Sequence, residues 1–235
     1  MPDSMDETKA RLLEAALPHV AFDGWTAETL RAACRDADVD PDTAEALFPR
    51  GAIDLALAFH DAGDAAMAAK LKTTQLVDMR VRDRINFAVR TRIEVIPDKE
   101  AVRRGTTLFA LPQHASDGMK ALWNTSDAIW TALKDPSEDL NWYTKRATLM
   151  GVYGSTVLYW LGDESLDAAD TWAFLDRRIE DVMRIEKTKS MIRDHPVLKP
   201  LMAGPNWLIS RVRAPARMPR TDVPGVWMPP EDNPA

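Results

Sequence analysis

Leu149, Val152, Tyr153, Thr156, Val157, Trp160 and Leu161 stand at i, i+3, i+4, i+7, i+8, i+11 and i+12, the strongest periodic signal in the chain. Steps of three and four put residues one above another on a helical face, so this run predicts a long helix, ended by Gly162-Asp163. A second stripe on the same helix, Ala147, Gly151, Gly154 and Ser155, is made of small residues. Apolar on one face and slim on another, the helix belongs inside a bundle where neighbours come close. The same reading predicts helices over 7–20 and 26–37, then, after a turn at 38–40, one from 41 to about 48. Leu12, Leu13, Ala16 and Leu17 share the inner face of the first. Further helices are predicted over 53–71, 77–96, 99–109, 116–133 and 166–187. Val81, Ile85, Ala88, Val89 and Ile96 make one face of the 77–96 helix, a stripe that Arg92 interrupts, and Pro97 ends it. Trp172, Leu175, Ile179, Val182 and Met183 line the inner face of the 166–187 helix. No strand-like alternation intervenes, and the fold class is all-α.

The first three helices have the order of a helix-turn-helix head. Its would-be recognition segment, residues 40–48, holds Asp40, Asp42 and Glu45 and no basic side chain. Residues 1–60 carry Lys9, Arg11, Arg31, Arg35 and Arg50 against twelve acids. Binding to DNA draws nearly all its non-specific affinity from cations facing phosphates, so the head reads as degenerate and no nucleic-acid partner is expected. The organisation expected is a head at 1–50, a helical body at 51–190, an amphipathic segment at 191–213 and a Pro-rich tail at 214–235.

Composition changes this picture in a few places. The 235 residues suffice for a sizeable core, and a hydrophobic fraction of 46% fits a globular chain. A net charge of −6 hides an asymmetry: from Lys187 to Arg220 eight basic residues face the single acid Asp194. Cys34 is the one cysteine, so no internal disulfide forms, and a reducing compartment is expected. The N-terminus has neither a signal-peptide nor a transit-peptide pattern, and no run approaches the roughly 20 apolar residues of a spanning helix. The location expected is cytoplasmic and peripherally membrane-associated. His19, His60, His114 and His195 are scattered, none with a Glu three residues before it, which removes the Glu-x-x-His spacing of di-iron bundles. Nucleophile elbow, P-loop and dinucleotide fingerprint are missing too, so no catalytic residue, metal or cofactor is assigned.

Three stretches carry a resemblance. Asp139-Leu-Asn-Trp-Tyr-Thr-Lys-Arg-Ala147 with Val152-Tyr153, then Asp170-Thr-Trp-Ala-Phe-Leu-Asp-Arg-Arg-Ile179, and Ala16-Leu-Pro-His-Val-Ala-Phe-Asp-Gly-Trp25 near the front, are similar to the ubiquinone-biosynthesis accessory protein family Coq nine. The likeness extends over about residues 5 to 190, and the run from Trp142 to Ala147 is its most specific piece. It implies a TetR-regulator-like helical bundle that does not read DNA, binds an isoprenoid quinone precursor in its body and delivers it to a quinone-ring hydroxylase. It also implies that the Trp142-Tyr143 pair belongs to an exposed patch holding that hydroxylase.

The residues themselves leave alternatives open. Trp142 and Tyr143, about 100° apart on a helix, are either core aromatics or the centre of a partner-binding patch with Trp130, Asp139 and Arg146. Arg146 could equally pair with Asp139 locally. Leu149, Val152, Tyr153, Thr156, Val157, Trp160, Phe174, Val182 and Met183 either fill a core or line a tunnel for a hydrocarbon chain. Leu198, Leu201, Met202, Trp207, Leu208 and Ile209 share an apolar face flanked by Lys199, Arg211 and Arg213, suited to a membrane surface or to docking on the body or a second subunit. A homodimer through body helices fits the implied fold. The competing function is a TetR-type ligand-responsive transcriptional repressor.

Overall fold

Caps and breakers set the helix ends in the computed structural model, which describes residues 4–194 and Ala214. α1 (Met5–Asp23) starts from a capping box in which Ser4 and Glu7 exchange hydrogen bonds, and Gly24 stops it at a φ of 68° that other residues rarely adopt. α2 (Ala27–Asp36) is capped by Thr26. α3 (Pro41–Leu47) is capped by Asp40, whose carboxylate accepts from the amides of Asp42 and Thr43, so one acid of the recognition segment serves the helix end. The body follows with α4 (Ala52–Thr73), α5 (Val81–Glu94), α6 (Lys99–Phe109), α7 (Ala115–Ala132), α8 (Leu140–Gly162) and α9 (Ala169–Asp194). The described residues form no strand, and the fold is all-α.

Several expected boundaries move. The helix predicted from residue 77 begins at Val81, because residues before it turn and Val77 stands 80% exposed. The helix predicted over 166–187 begins at Ala169 and continues to Asp194; a 3-10 turn at Leu166–Ala168, with positive φ at Asp167 and Ala168, precedes it. The amphipathic face from Leu198 to Ile209 lies outside the described residues.

Two hydrophobic clusters hold the chain together. Leu12, Ala16, Val20, Trp25, Phe48 and Leu55 join the head to the start of α4. Met67, Ile85, Val89, Ile93, Ile129, Leu149, Val152, Leu175 and Ile179 form the body's core, where α8 packs against both α7 and α9. Each fully buried aliphatic side chain contributes roughly 1.5–3 kcal/mol. Arg92 corrects the reading of α5: it does not break the inner face but belongs to it, only 2% exposed. Its Nε donates to Asp64 Oδ1 at 2.6 Å and its Nη2 to the His60 carbonyl at 2.9 Å, both on α4. Gly63 makes the approach possible, since a Cβ there would lie 2.5 Å from Arg92 Nη1.

Candidate functional site

Two cavities flank α8, and between them they are lined by six of the nine residues named from sequence as core or tunnel lining. One, of about 380 Å³, lies between α5, α7, α8 and α9; Leu149, Val152, Val182 and Met183 line it, with Trp130 and Lys145 at one end. The other, of about 420 Å³, is walled by α4, α6, α7 and α8 and is more apolar. Tyr153 and Val157 face this second cavity, as do Trp25, Phe59, Val102, Phe109 and Leu122. Three glycines on three helices, Gly105, Gly118 and Gly154, line it as well. A Cβ on Gly154 would sit 3.6 Å from Leu122, so the missing side chain is part of the space. Trp25 is held in the wall by its indole N–H, which donates to the Ala101 carbonyl at 3.0 Å, and by Phe59, 5.4 Å away between ring centroids. At the outer end, Met119 and Leu158 are 53% and 61% exposed.

The remaining expected lining residues sit elsewhere. Thr156 is buried and gives its hydroxyl proton to the Val152 carbonyl within α8. Trp160 packs under the Lys99 ammonium, 5.2 Å from its ring centre, at the start of α6. Phe174 stacks on Tyr159 at 4.6 Å, between α8 and α9. These three line neither cavity.

Where α7 ends and α8 begins, an aromatic corner forms. Trp142 meets Tyr143 edge-on at 4.8 Å, and Trp123 of α7 closes the group at 6.0 Å from Trp142 and 6.5 Å from Tyr143. All three are half-buried, so each keeps both a packed and an accessible side. Asp139 is exposed and caps α8 through the Asn141 amide. Arg146 is not at the surface as a binding patch would suggest; it is 0% exposed and stacks its guanidinium 3.9 Å over the Trp142 ring. It pairs with Asp127 and Asp135 rather than Asp139, and it donates to the Trp142 carbonyl at 3.1 Å. Trp130, 8% exposed, lies beneath the corner with its indole N–H on the Lys145 carbonyl. Burial pushes the Asp135 carboxyl up, but hydrogen bonds from Lys145 and Ser137 outweigh it and hold its pKa below the usual carboxylate range. Arg146 therefore holds Trp142 in place from below.

Sequence reasoning missed Trp123, although Trp123 and Trp130 are seven residues apart, two turns along one face of α7. It also missed the polar group at the inner end of the second cavity. There, His60 and Asp64 are four apart on α4, a polar pair on an otherwise Ala-rich helix, and both contact Thr125 of α7. Among the described residues no helix is long and apolar enough to cross a membrane.

Comparisons with known proteins converge on one family. A family model described as COQ9 matches residues 115–186, which span α7, the corner, α8 and most of α9. The mitochondrial ubiquinone biosynthesis protein COQ9 of Rattus norvegicus is 33% identical over 199 residues, covering 81% of this chain and 64% of the rat protein. The human protein of that name is 31% identical over 81% of this chain and 62% of its own length. Xenopus laevis COQ9-B is 30% identical over 81% of this chain and 67% of its own. The chain thus spans somewhat less than two thirds of the rat and human proteins. In fold, it is similar to the crystal structure of a TetR transcriptional regulator from Nitrosomonas europaea, with a TM-score of 0.61 at 19% identity over 74% of this chain and 97% of that one.

Proposed function

This chain belongs to the COQ9 family, and from that premise we propose that it is an accessory protein of ubiquinone biosynthesis which holds a prenylated quinone precursor and presents it to a ring-modifying hydroxylase. The observation that carries the reading is the apolar cavity of about 420 Å³ whose wall continues along α7 into the aromatic corner: Leu122 lines the cavity and the next residue, Trp123, belongs to the corner. Its volume is within the range of small-molecule sites. Burying a hydrocarbon tail there gains roughly 25 cal/mol per Å² of apolar surface and needs no charged group on the tail.

The corner supplies what a protein partner needs. Tryptophan, tyrosine and arginine dominate binding energy at interfaces, and here a buried arginine fixes a half-buried tryptophan from behind. Asp139 stands exposed at the rim as a polar contact. Of the residues expected to bind the partner, Trp142, Tyr143 and Asp139 would touch it, Arg146 would position Trp142, and Trp130 would stay buried. The basic and apolar composition of residues 195–213 suits adsorption to an anionic membrane surface, where such a ligand would be met. We assign no catalytic step to the chain.

Deleting the gene and measuring quinones tests this reading. An under-hydroxylated precursor is expected to accumulate, and wild-type protein is expected to restore the mature quinone. Trp142→Ala protein should fold but restore it poorly, with hydroxylase capture weakened on the order of thirtyfold. An unchanged quinone pool in the deletion strain would remove the biosynthetic role.

A further inference from the structure

The inner end of the second cavity is polar, and its hydrogen bonds are arranged in one sense. Arg92 and Asp64 form an ion pair at 2.6 Å with side chains 3% and 12% exposed. Thr125, fully buried, lies 2.8 Å from Asp64 Oδ1 and 2.7 Å from His60 Nε2. Asp64 has no proton to give while it is paired with a guanidinium, so the Thr125 hydroxyl donates to it. The same hydroxyl meets His60 Nε2, and the His60 ring also hydrogen-bonds to the Ala121 backbone, so its polar contacts stay within the protein. Burial, with the Arg92 charge adding to it, keeps the ring neutral at pH 7. Tyr153, 3% exposed, lines the same end, and its hydroxyl has no hydrogen bond among the described residues. One uncommitted hydroxyl on a buried side chain therefore faces a cavity whose other walls are almost wholly apolar.

Building on the reading of this cavity as a lipid site, we propose that Tyr153 binds the oxygen-bearing ring of the ligand and that the site selects a neutral ring over one bearing a carboxylate or phosphate. The Tyr153 hydroxyl donates to a ring carbonyl, ether or hydroxyl oxygen. Charge decides the rest. Arg92 is already neutralised by Asp64, so an anionic head would enter a buried site with no unpaired cation among its described lining residues and with Asp64 close by. A neutral head meets no such cost. Met119 and Leu158, at the exposed end, would leave the tail on an apolar path to the surface.

Three probes with one farnesyl tail test the proposal by transfer from phosphatidylcholine vesicles to the purified protein at pH 7: ortho-farnesylphenol, the same phenol bearing a para carboxylate, and the headless hydrocarbon farnesene. The phenol is expected to bind tightest and the carboxylate on the order of a hundredfold more weakly than the phenol. Tyr153→Phe should weaken the phenol about five- to tenfold and leave farnesene unchanged, with its unfolding midpoint as the check on folding. Equal binding of phenol and carboxylate, or a Tyr153→Phe effect equal for phenol and farnesene, would overturn the head-group site while the lipid cavity stood. Transfer of none of the three would overturn both.

Discussion

His60 shows how one residue can report on the whole inner end of the cavity. An unfolded chain takes a proton on this ring near pH 6.5, whereas the folded site, through burial and the adjacent Arg92, resists until about pH 4. Protons therefore favour the unfolded chain through that window: the stability at stake is whole above pH 6.5 and is lost as the pH falls towards 4. At about 1.4 kcal/mol per pH unit, the gap from 6.5 to about 4 sets a ceiling of about 3 kcal/mol. Urea midpoints of the wild type should fall between pH 7 and pH 4.5 by more than those of His60→Gln, which keeps a donor for Thr125 but cannot titrate. Identical pH profiles would show that the ring is not held neutral. At this scale the sequence was only half legible. Arg92 stood out as a charge in an apolar stripe, but Asp64, 28 residues earlier, gave no local sign that it would receive it. Arg146 likewise read as a surface charge beside Asp139, because its true partners, Asp127 and Asp135, belong to the preceding helix and loop.

Helices were easier to read than the joints between them. The stripe from Leu149 to Leu161 located α8 because burial on one face imposes a helical period, and Gly162-Asp163 marked its end. What that end does was not visible. Asp163 turns its carboxylate to the amides of Ser165 and Thr171 and to the Thr171 hydroxyl, tying the end of α8 to the start of α9. The Ser165 and Thr171 groups hold its carboxyl far below the usual carboxylate range. The sequence offered no reason to expect left-handed backbone at Asp167 and Ala168, which is why the predicted start of α9 was three residues early. Asp163→Ala should speed amide hydrogen exchange in the 3-10 turn and the first turn of α9 while the middle of α8 keeps its protection. Unchanged exchange at Thr171 would show that the carboxylate does not secure this joint.

Across the whole molecule, the acidic head and the open body fit together. The head keeps three capped helices and a hydrophobic seam onto α4, yet its third helix presents Asp42 and Glu45 outward, where a DNA reader needs cations. The body leaves space beside α8 where a solid core would have none, and glycines on α6, α7 and α8 border it. The stripe on α8 hinted at this through Gly154, whereas Gly105 and Gly118 lay in segments without a clear pattern and gave no warning. Filling that space tests the account most directly. Wild-type protein and Gly154→Phe should be purified in parallel and their bound lipids extracted and identified by mass spectrometry. An isoprenoid lipid is expected in the wild type and at least a tenfold loss in Gly154→Phe, with the corner's capture of the hydroxylase retained. An empty wild type, or equal lipid in both proteins, would contradict it.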